Sequence, residues 1–278
     1  MSLDEKEYPK YSVLMTVYKS DNPEYFALSL DSMLNQSLSP DEIVLVKDGP
    51  ISDALQKVID DRLNCNILIK QILLPINRGL GLALNAGIPE CRNELIARMD
   101  SDDYSLPERC KKQVEAFIDD DTLDIIGCPV DEFVGNIDNI VGCRNVPYTN
   151  EDIYAFARKR DPFNHPTVMY RQSKVVEVGM YSDYRKNQDT DLWIKMLTNK
   201  VKCKNLKEHL FRFRFDEKTF QKRKNWLNTR ILLEIRYKAW RKGFNSFSDF
   251  MFVSCSQLAV WLMPIGFQKF LYKHVLRR

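Results

Sequence analysis

No two cysteines in this 278-residue chain form a Cys-x-x-Cys pair. The seven present (Cys65, Cys91, Cys110, Cys128, Cys143, Cys203 and Cys255) are odd in number and scattered. A disulfide framework and a thiolate zinc site are thereby excluded, and these residues read as free, buried thiols of a reducing compartment. The N-terminus, "MSLDEKEYPK", has no apolar run of the kind a secretory leader carries, so a cytoplasmic location is expected. Also missing is an uninterrupted stretch of the ~20 apolar residues that a membrane-crossing helix needs. The nearest, "FMFVSCSQLAVWLMPIGF" (250–267), is broken by serine, glutamine, proline and glycine. Neither charge dominates: 41 basic residues face 38 acidic ones, net +3, which argues against a nucleic-acid partner. There is no internal repeat and no low-complexity segment.

What is present is an ordinary globular composition, 44% hydrophobic and 28% charged, in a chain long enough for a large core. Its first hundred residues alternate apolar strand runs with helical spacings. "YSVLMTVY" (11–18) reads as a buried strand, and "EIVLVKDG" (42–49), "NILIKQILL" (66–74) and "ELIARMD" (94–100) as the second, third and fourth strands. Between them, "NPEYFALSLDSMLNQS" carries Phe26, Leu30, Met33 and Leu34 at helical spacing, and "SDALQKVIDDRL" has Ser52 as its N-cap. "NRGLGLALNAGI" turns through glycine into a third helix, with Leu80, Ala83, Leu84 and Gly87 on one face. Strands so separated imply parallel crossovers and a sheet covered on both faces, with ligands gathering beyond the carboxyl ends of the strands. Those ends carry Tyr18, Asp48, Asn77-Arg78-Gly79 and Asp100 to Asp103. Further on, "PERCKKQVEAFIDD" reads as a helix with Pro107 in its first turn, and "LDIIGCPVDEFV" (123–134) as one strand. "YTNEDIYAFARKR" reads as a capped helix, "QDTDLWIKMLTNK" (188–200) as a helix with acids in its first turn, and "VKCKNL" and "HLFRFRF" as closing strands.

Asp100, Asp102 and Asp103 place three like charges in four positions behind an apolar run. An EF-hand loop would need glycine and glutamate where Ser105 and Lys111 stand, so that reading fails. An aspartyl phosphatase resembling the haloacid dehalogenase family would need Thr or Val where Tyr104 stands, and nearer the N-terminus. A solvated acidic turn and a cation–diphosphate site remain. Hard divalent ions take oxygen ligands, and Mg²⁺ or Mn²⁺ is commonly held by one or two carboxylates plus substrate phosphates.

"SVLMTVY", "EIVLVKDG", "NRGLGLALNAGI", "ARMDSDD", "HPTVMYR" and "QDTDLW", in this order and spacing, resemble glycosyltransferase family 2 over residues 11 to 195. They look most like the bacterial enzymes that extend O-antigen, capsule and exopolysaccharide units such as amylovoran. The resemblance implies an α/β, Rossmann-like, A-type nucleotide-diphospho-sugar transferase fold: a central, mostly parallel sheet flanked by helices, with a C-terminal helical extension. It implies an inverting transfer of a hexose from a UDP-sugar to a lipid-linked oligosaccharide, with Mn²⁺ or Mg²⁺. Carried over by position, Asp48 would meet the nucleobase edge, walled by Val17 and Tyr18. Asn77, Arg78 and Gly79 would face ribose or phosphate. Asp102 would ligate the metal and Asp100 would contact the sugar nucleotide or share the metal, beside Ser101. Asp103 would hold the loop. His165 would either donate to a diphosphate or sit satisfied in a structural loop. Asp189 would be the catalytic base, with Asp191 as a fallback. The family's usual Glu-Asp is Gln188-Asp189 here, and on that loss a donor-binding scaffold without transfer is the alternative function. Lys47 and Pro50 also depart from the pattern, Lys47 either tuning nucleotide preference or standing solvated.

These expectations divide the chain into a catalytic domain, residues 1–215, and a basic, aromatic helical segment, residues 216–278. The latter reads either as an interfacial segment on an anionic membrane surface, giving peripheral association with the inner face of the cytoplasmic membrane, or as a helix pair packed on the domain.

Overall fold

The computed structural model describes residues 8–215 and 226–263. The expectations for the first seven residues, for 216–225 and for the basic tail from 264 lie outside the described residues.

The four apolar runs form β1 (Tyr11–Val17), β2 (Glu42–Lys47), β3 (Leu68–Leu73) and β4 (Leu95–Met99). β1 lies parallel to both β2 and β4, and β2 to β3. Their crossovers are α1 (Pro23–Leu34), α2 (Asp53–Asp60) and α3 (Leu80–Gly87). The starts of these helices follow from local chemistry. Asn22 accepts the N–H groups of Glu24 and Tyr25, and Ser52 accepts that of Leu55, each satisfying donors that the helix itself leaves free. β1 and β2 are buried on both faces, which is why they read as continuous apolar runs rather than alternating ones.

Among the described residues, seven strands form one sheet in the order β10-β6-β9-β4-β1-β2-β3 and four form a second, β5-β11-β7-β8. β6 (Ile125–Gly127), β9 (Met169–Arg171) and β10 (Cys203–Asn205) extend the large sheet, with β9 antiparallel to both β4 and β6. β5 (Tyr104–Ser105), β7 (Val130–Phe133), β8 (Ile140–Arg144) and β11 (Phe211–Arg214) form the small one. Helices α4 (Arg109–Asp119), α5 (Asn150–Ala157), α6 (Gln172–Glu177) and α7 (Gln188–Thr198) flank the sheets. Apolar clusters fill the space on both faces of the large sheet. The fold is thus the expected α/β arrangement.

Several local expectations are corrected. Residues 123–134 are two strands in different sheets, because Pro129 cannot donate to a ladder and Cys128 N–H bonds Thr167 Oγ1 instead (3.1 Å). Pro107 precedes its helix, which begins at Arg109. β8 and α6 had no counterpart in the sequence reading. Of the cysteines only Cys91, Cys110, Cys128 and Cys203 are buried; Cys65 and Cys255 are exposed.

The C-terminal region contributes α8 (Trp226–Arg241) and α9 (Phe247–Leu262), which pack on each other. α8 also docks on α7, burying Ile231, Ile235 and Ala239 against Ile194. Among the described residues no helix is long and apolar enough to cross a membrane.

Candidate active site

The carboxyl ends of β1, β2 and β4 share one rim, and the Asp48 carboxylate organises its first part. Oδ1 accepts Arg78 N–H (2.7 Å); Oδ2 accepts Gly79 N–H (2.9 Å) and Asn77 Nδ2 (2.8 Å). The close approach needs glycine at 49: its φ is +85°, and a Cβ there would meet Asn77 N at 2.8 Å. Arg185, a residue the sequence reading missed, reaches over this loop to Asn77 Oδ1 (3.2 Å). Tyr18 exposes its ring at the rim, whereas the Val17 side chain is in the core, so of this pair only Tyr18 offers a wall. Lys47 is neither solvated nor turned to the rim: Nζ donates to Gln56 and Gln71 (3.1 Å each).

The acidic turn follows β4. Ligand oxygens of Asp100, Asp102 and Asp103 lie within 4.8 Å of one another. Asp103 is buried, with Oδ1 accepting Arg214 N–H (2.7 Å) and Oδ2 buried without a partner. Arg214 also donates from Nε to Asp102 O (2.7 Å) and lies over the Tyr25 ring, so β11 clamps the turn. Asp21, after β1, accepts from Ser101 Oγ (2.8 Å) and from Tyr18 N–H (3.1 Å), adding a fourth carboxylate. Burial, then the Asp100 and Asp21 charges, push Asp102 up to about 6; its carboxylate keeps solvent access, but the surrounding walls desolvate it. Burial and the charges of Asp102 and Asp100 push Asp103 well above the usual range. Converging hard oxygens, one of them buried and orphaned, fit a Mg²⁺- or Mn²⁺-sized ion. A cation would relieve the repulsion that raises these pKa values.

Beside the turn is a cavity of about 350 Å³, lined by Arg98, Asp100, Arg144, Asp161, His165 and Asp189 among others. Asp189 sits in the first turn of α7. Burial, then the Asp161 charge, push it up to about 6. Arg98, 1% exposed, pairs with Asp100 through Nη2 and leaves Nε and Nη1 unpartnered. Arg109, fully buried, donates from Nη1 to Arg98 O (3.1 Å) and Pro166 O (3.0 Å), tying β4 to the His165-Pro166 turn. His165 is buried and shares a hydrogen bond with Tyr181 Oη (2.8 Å). Burial, then the Arg98 charge, hold its ring neutral. Asp191 is not brought to this cavity. It accepts from Ser182 Oγ (2.6 Å) and Lys195 Nζ (2.9 Å) and lines a separate space of about 280 Å³.

The model of glycosyl transferase family 2 matches residues 12–185. The chain is 32% identical over 271 residues to the Escherichia coli UDP-Gal:alpha-D-GlcNAc-diphosphoundecaprenol beta-1,3-galactosyltransferase, covering 97% of this chain and 98% of that one. It is 32% identical over 268 residues to the amylovoran biosynthesis glycosyltransferase AmsE of Erwinia amylovora, covering 95% and 98%. A mannosyltransferase from Pyrobaculum calidifontis, solved with GDP-Man and Mn²⁺, superposes with a TM-score of 0.66 at 14% identity, over 95% of this chain and 74% of that one.

Proposed function

The chain belongs to glycosyltransferase family 2, and from that premise we propose that it moves a hexosyl group, with inversion, from a UDP-sugar to a hydroxyl of a lipid-linked oligosaccharide. The proposed setting is the synthesis of bacterial surface polysaccharide. The observation that carries this reading is that a three-carboxylate cluster reaches, through Asp100, the same cavity that is lined by a desolvated aspartate from a different element.

Asp48 Oδ1 takes one backbone donor and keeps a lone pair for the edge of a nucleobase stacked on Tyr18. Arg78, with Asn77 and Gly79, borders ribose and diphosphate, as does Ser101. His165, neutral, faces the same cavity. Asp102 and Asp100 would hold Mn²⁺ or Mg²⁺, which when bound neutralises charge on the diphosphate oxygens. Asp189 accepts the proton of the acceptor hydroxyl as that oxygen attacks the anomeric carbon and UDP departs. Its raised pKa makes it a stronger base that is still ionised near neutral pH. The lipid-linked character of the acceptor follows the activity that the name of the E. coli relative states. It fits a protein working on the inner face of the cytoplasmic membrane, held by an anionic lipid surface. The large side chains that α9 exposes, Phe247, Met251, Phe252 and Leu262, support that placement.

Asp189→Asn tests the mechanism. The variant should bind the UDP-sugar as the wild type does, while turnover falls by about a hundred- to ten-thousand-fold. Wild-type turnover in this variant would remove the assignment, and a wild type that releases no UDP from any of a panel of UDP-sugars would support a donor-binding scaffold.

A further inference from the structure

Gln188 stands where the family pattern leads one to expect an acid, yet Asp189 does not lack a carboxylate neighbour. Asp161, on the segment after α5, lines the same cavity and acts on Asp189 more strongly than any other charge. Behind Asp161 stands Arg236 of α8. This guanidinium is 2% exposed. Nη1 donates to Ala157 O (2.6 Å), Nε has no partner, and Nη2 lies 3.8 Å from Asp161 Oδ1. A buried cation is costly unless paired, and among the described residues Asp161 is the one carboxylate paired with it. α8 is fixed in this position by the apolar contact of Ile231, Ile235 and Ala239 with Ile194 of α7, the helix whose first turn carries Asp189.

We propose that Asp161, held by Arg236 from the C-terminal helix, is the positioning carboxylate that takes the place of the missing acid at 188 and keeps Asp189 a strong base. The inference rests on the reading of Asp189 as the base. Burial raises the Asp161 carboxyl above its ordinary range and the Arg236 charge opposes that rise, so Arg236 favours the ionised form. An ionised Asp161 in turn disfavours the anion of Asp189, strengthening it as a proton acceptor. The other groups that face Asp189 in this cavity are Arg98 and Asp100 from the β4 end, Arg144 from β8 and the neutral His165; the Tyr181 hydroxyl is close by. Of these, Arg98 opposes Asp161 by favouring the Asp189 anion. α8 is thereby part of the catalytic apparatus.

The test is the pH profile of kcat, with KM, for the wild type, Asp161→Asn, Asp161→Glu, Arg236→Met, Arg236→Lys and Asp189→Asn. The donor is the UDP-sugar that the wild type turns over fastest. Removing the Asp161 charge lets Asp189 ionise at lower pH. The acid limb of Asp161→Asn should move down by about 0.5–1 pH unit and its kcat at pH 7.5 should fall about two- to threefold, with KM unchanged. Arg236→Met should lose kcat to a similar degree, and the Glu and Lys variants should recover most of it. If Asp189→Asn is inactive while Asp161→Asn keeps the wild-type limb and kcat, this inference falls and the base assignment stands. If Asp189→Asn is fully active, the base assignment falls and this inference with it. Should Arg236→Met fail to fold, Asp161→Asn, which retains the arginine, still decides.

Discussion

At the residue scale the site is a set of aspartates in unequal surroundings. Asp48 takes two backbone donors and the Asn77 amide and keeps a lone pair on Oδ1, Asp103 is divided between Arg214 and an orphaned oxygen, and Asp191 is tied to Lys195. Asp189 is desolvated, and its ionised form costs folding free energy. Its folded pKa is raised from 3.8 to about 6. Between those values the folded chain holds a proton that the unfolded chain has released, so stability declines as pH rises through this window. Asp189→Asn should therefore be more stable than the wild type by on the order of 2 kcal/mol above pH 7, with the difference vanishing below pH 4. Thermal melts across that range check it. Gly49→Ala places a side chain at φ +85° against Asn77 N. It should cost about 1–3 kcal/mol and raise the KM for donor by loosening the Asp48 clamp.

At the element scale, the sequence was most readable where one apolar run makes one strand. β1 to β4 and their crossover helices declare themselves because β1, β2 and β4 are buried on both faces, the edge strand β3 is still an apolar run, and the helix starts carry Asn22, Ser52 and a glycine turn. The three residues of β9 gave no such signal, since its place between β4 and β6 is set by pairing with distant strands. The site was legible on the same terms. Asp48, Asp100 to Asp103 and Asp189 stand at the ends of periodic elements. Asp21, Arg185, Arg214, Asp161 and Arg236 act across long sequence separations and have no local pattern, and Arg98, though it pairs with Asp100 two residues on, stands inside an apolar run that shows only a strand. α8 shows how such residues are held. Ile235→Ala removes a side chain 2% exposed at the α7–α8 contact and should cost about 2–4 kcal/mol. If α8 carries Arg236 as proposed, turnover should fall more than donor affinity, a split read from kcat against KM.

At the scale of the whole molecule, the sheet, the small four-stranded sheet and the C-terminal helices meet at the cavity that holds Asp189. β8 and β11 add Arg144 and Phe213 to its walls, and α8 backs Asp161 from behind. α9 packs on α8, meets Lys159 through Asp249, and exposes Phe247, Met251, Phe252 and Leu262. Flotation with anionic liposomes should carry the full chain upward, and Phe247→Ser/Phe252→Ser/Leu262→Ser together should reduce it several-fold without altering UDP binding. Equal flotation of both would leave the membrane reading without support. The central claim is that the carboxylates after β4 grip a divalent cation that anchors a nucleoside diphosphate. Calorimetric titration of UDP in Mn²⁺ and in chelator, for the wild type and Asp102→Ala, tests it most directly. The account predicts tight binding for the wild type in Mn²⁺ and a loss of at least tenfold on either removing the ion or truncating Asp102. Equal UDP affinity in all four titrations would contradict it.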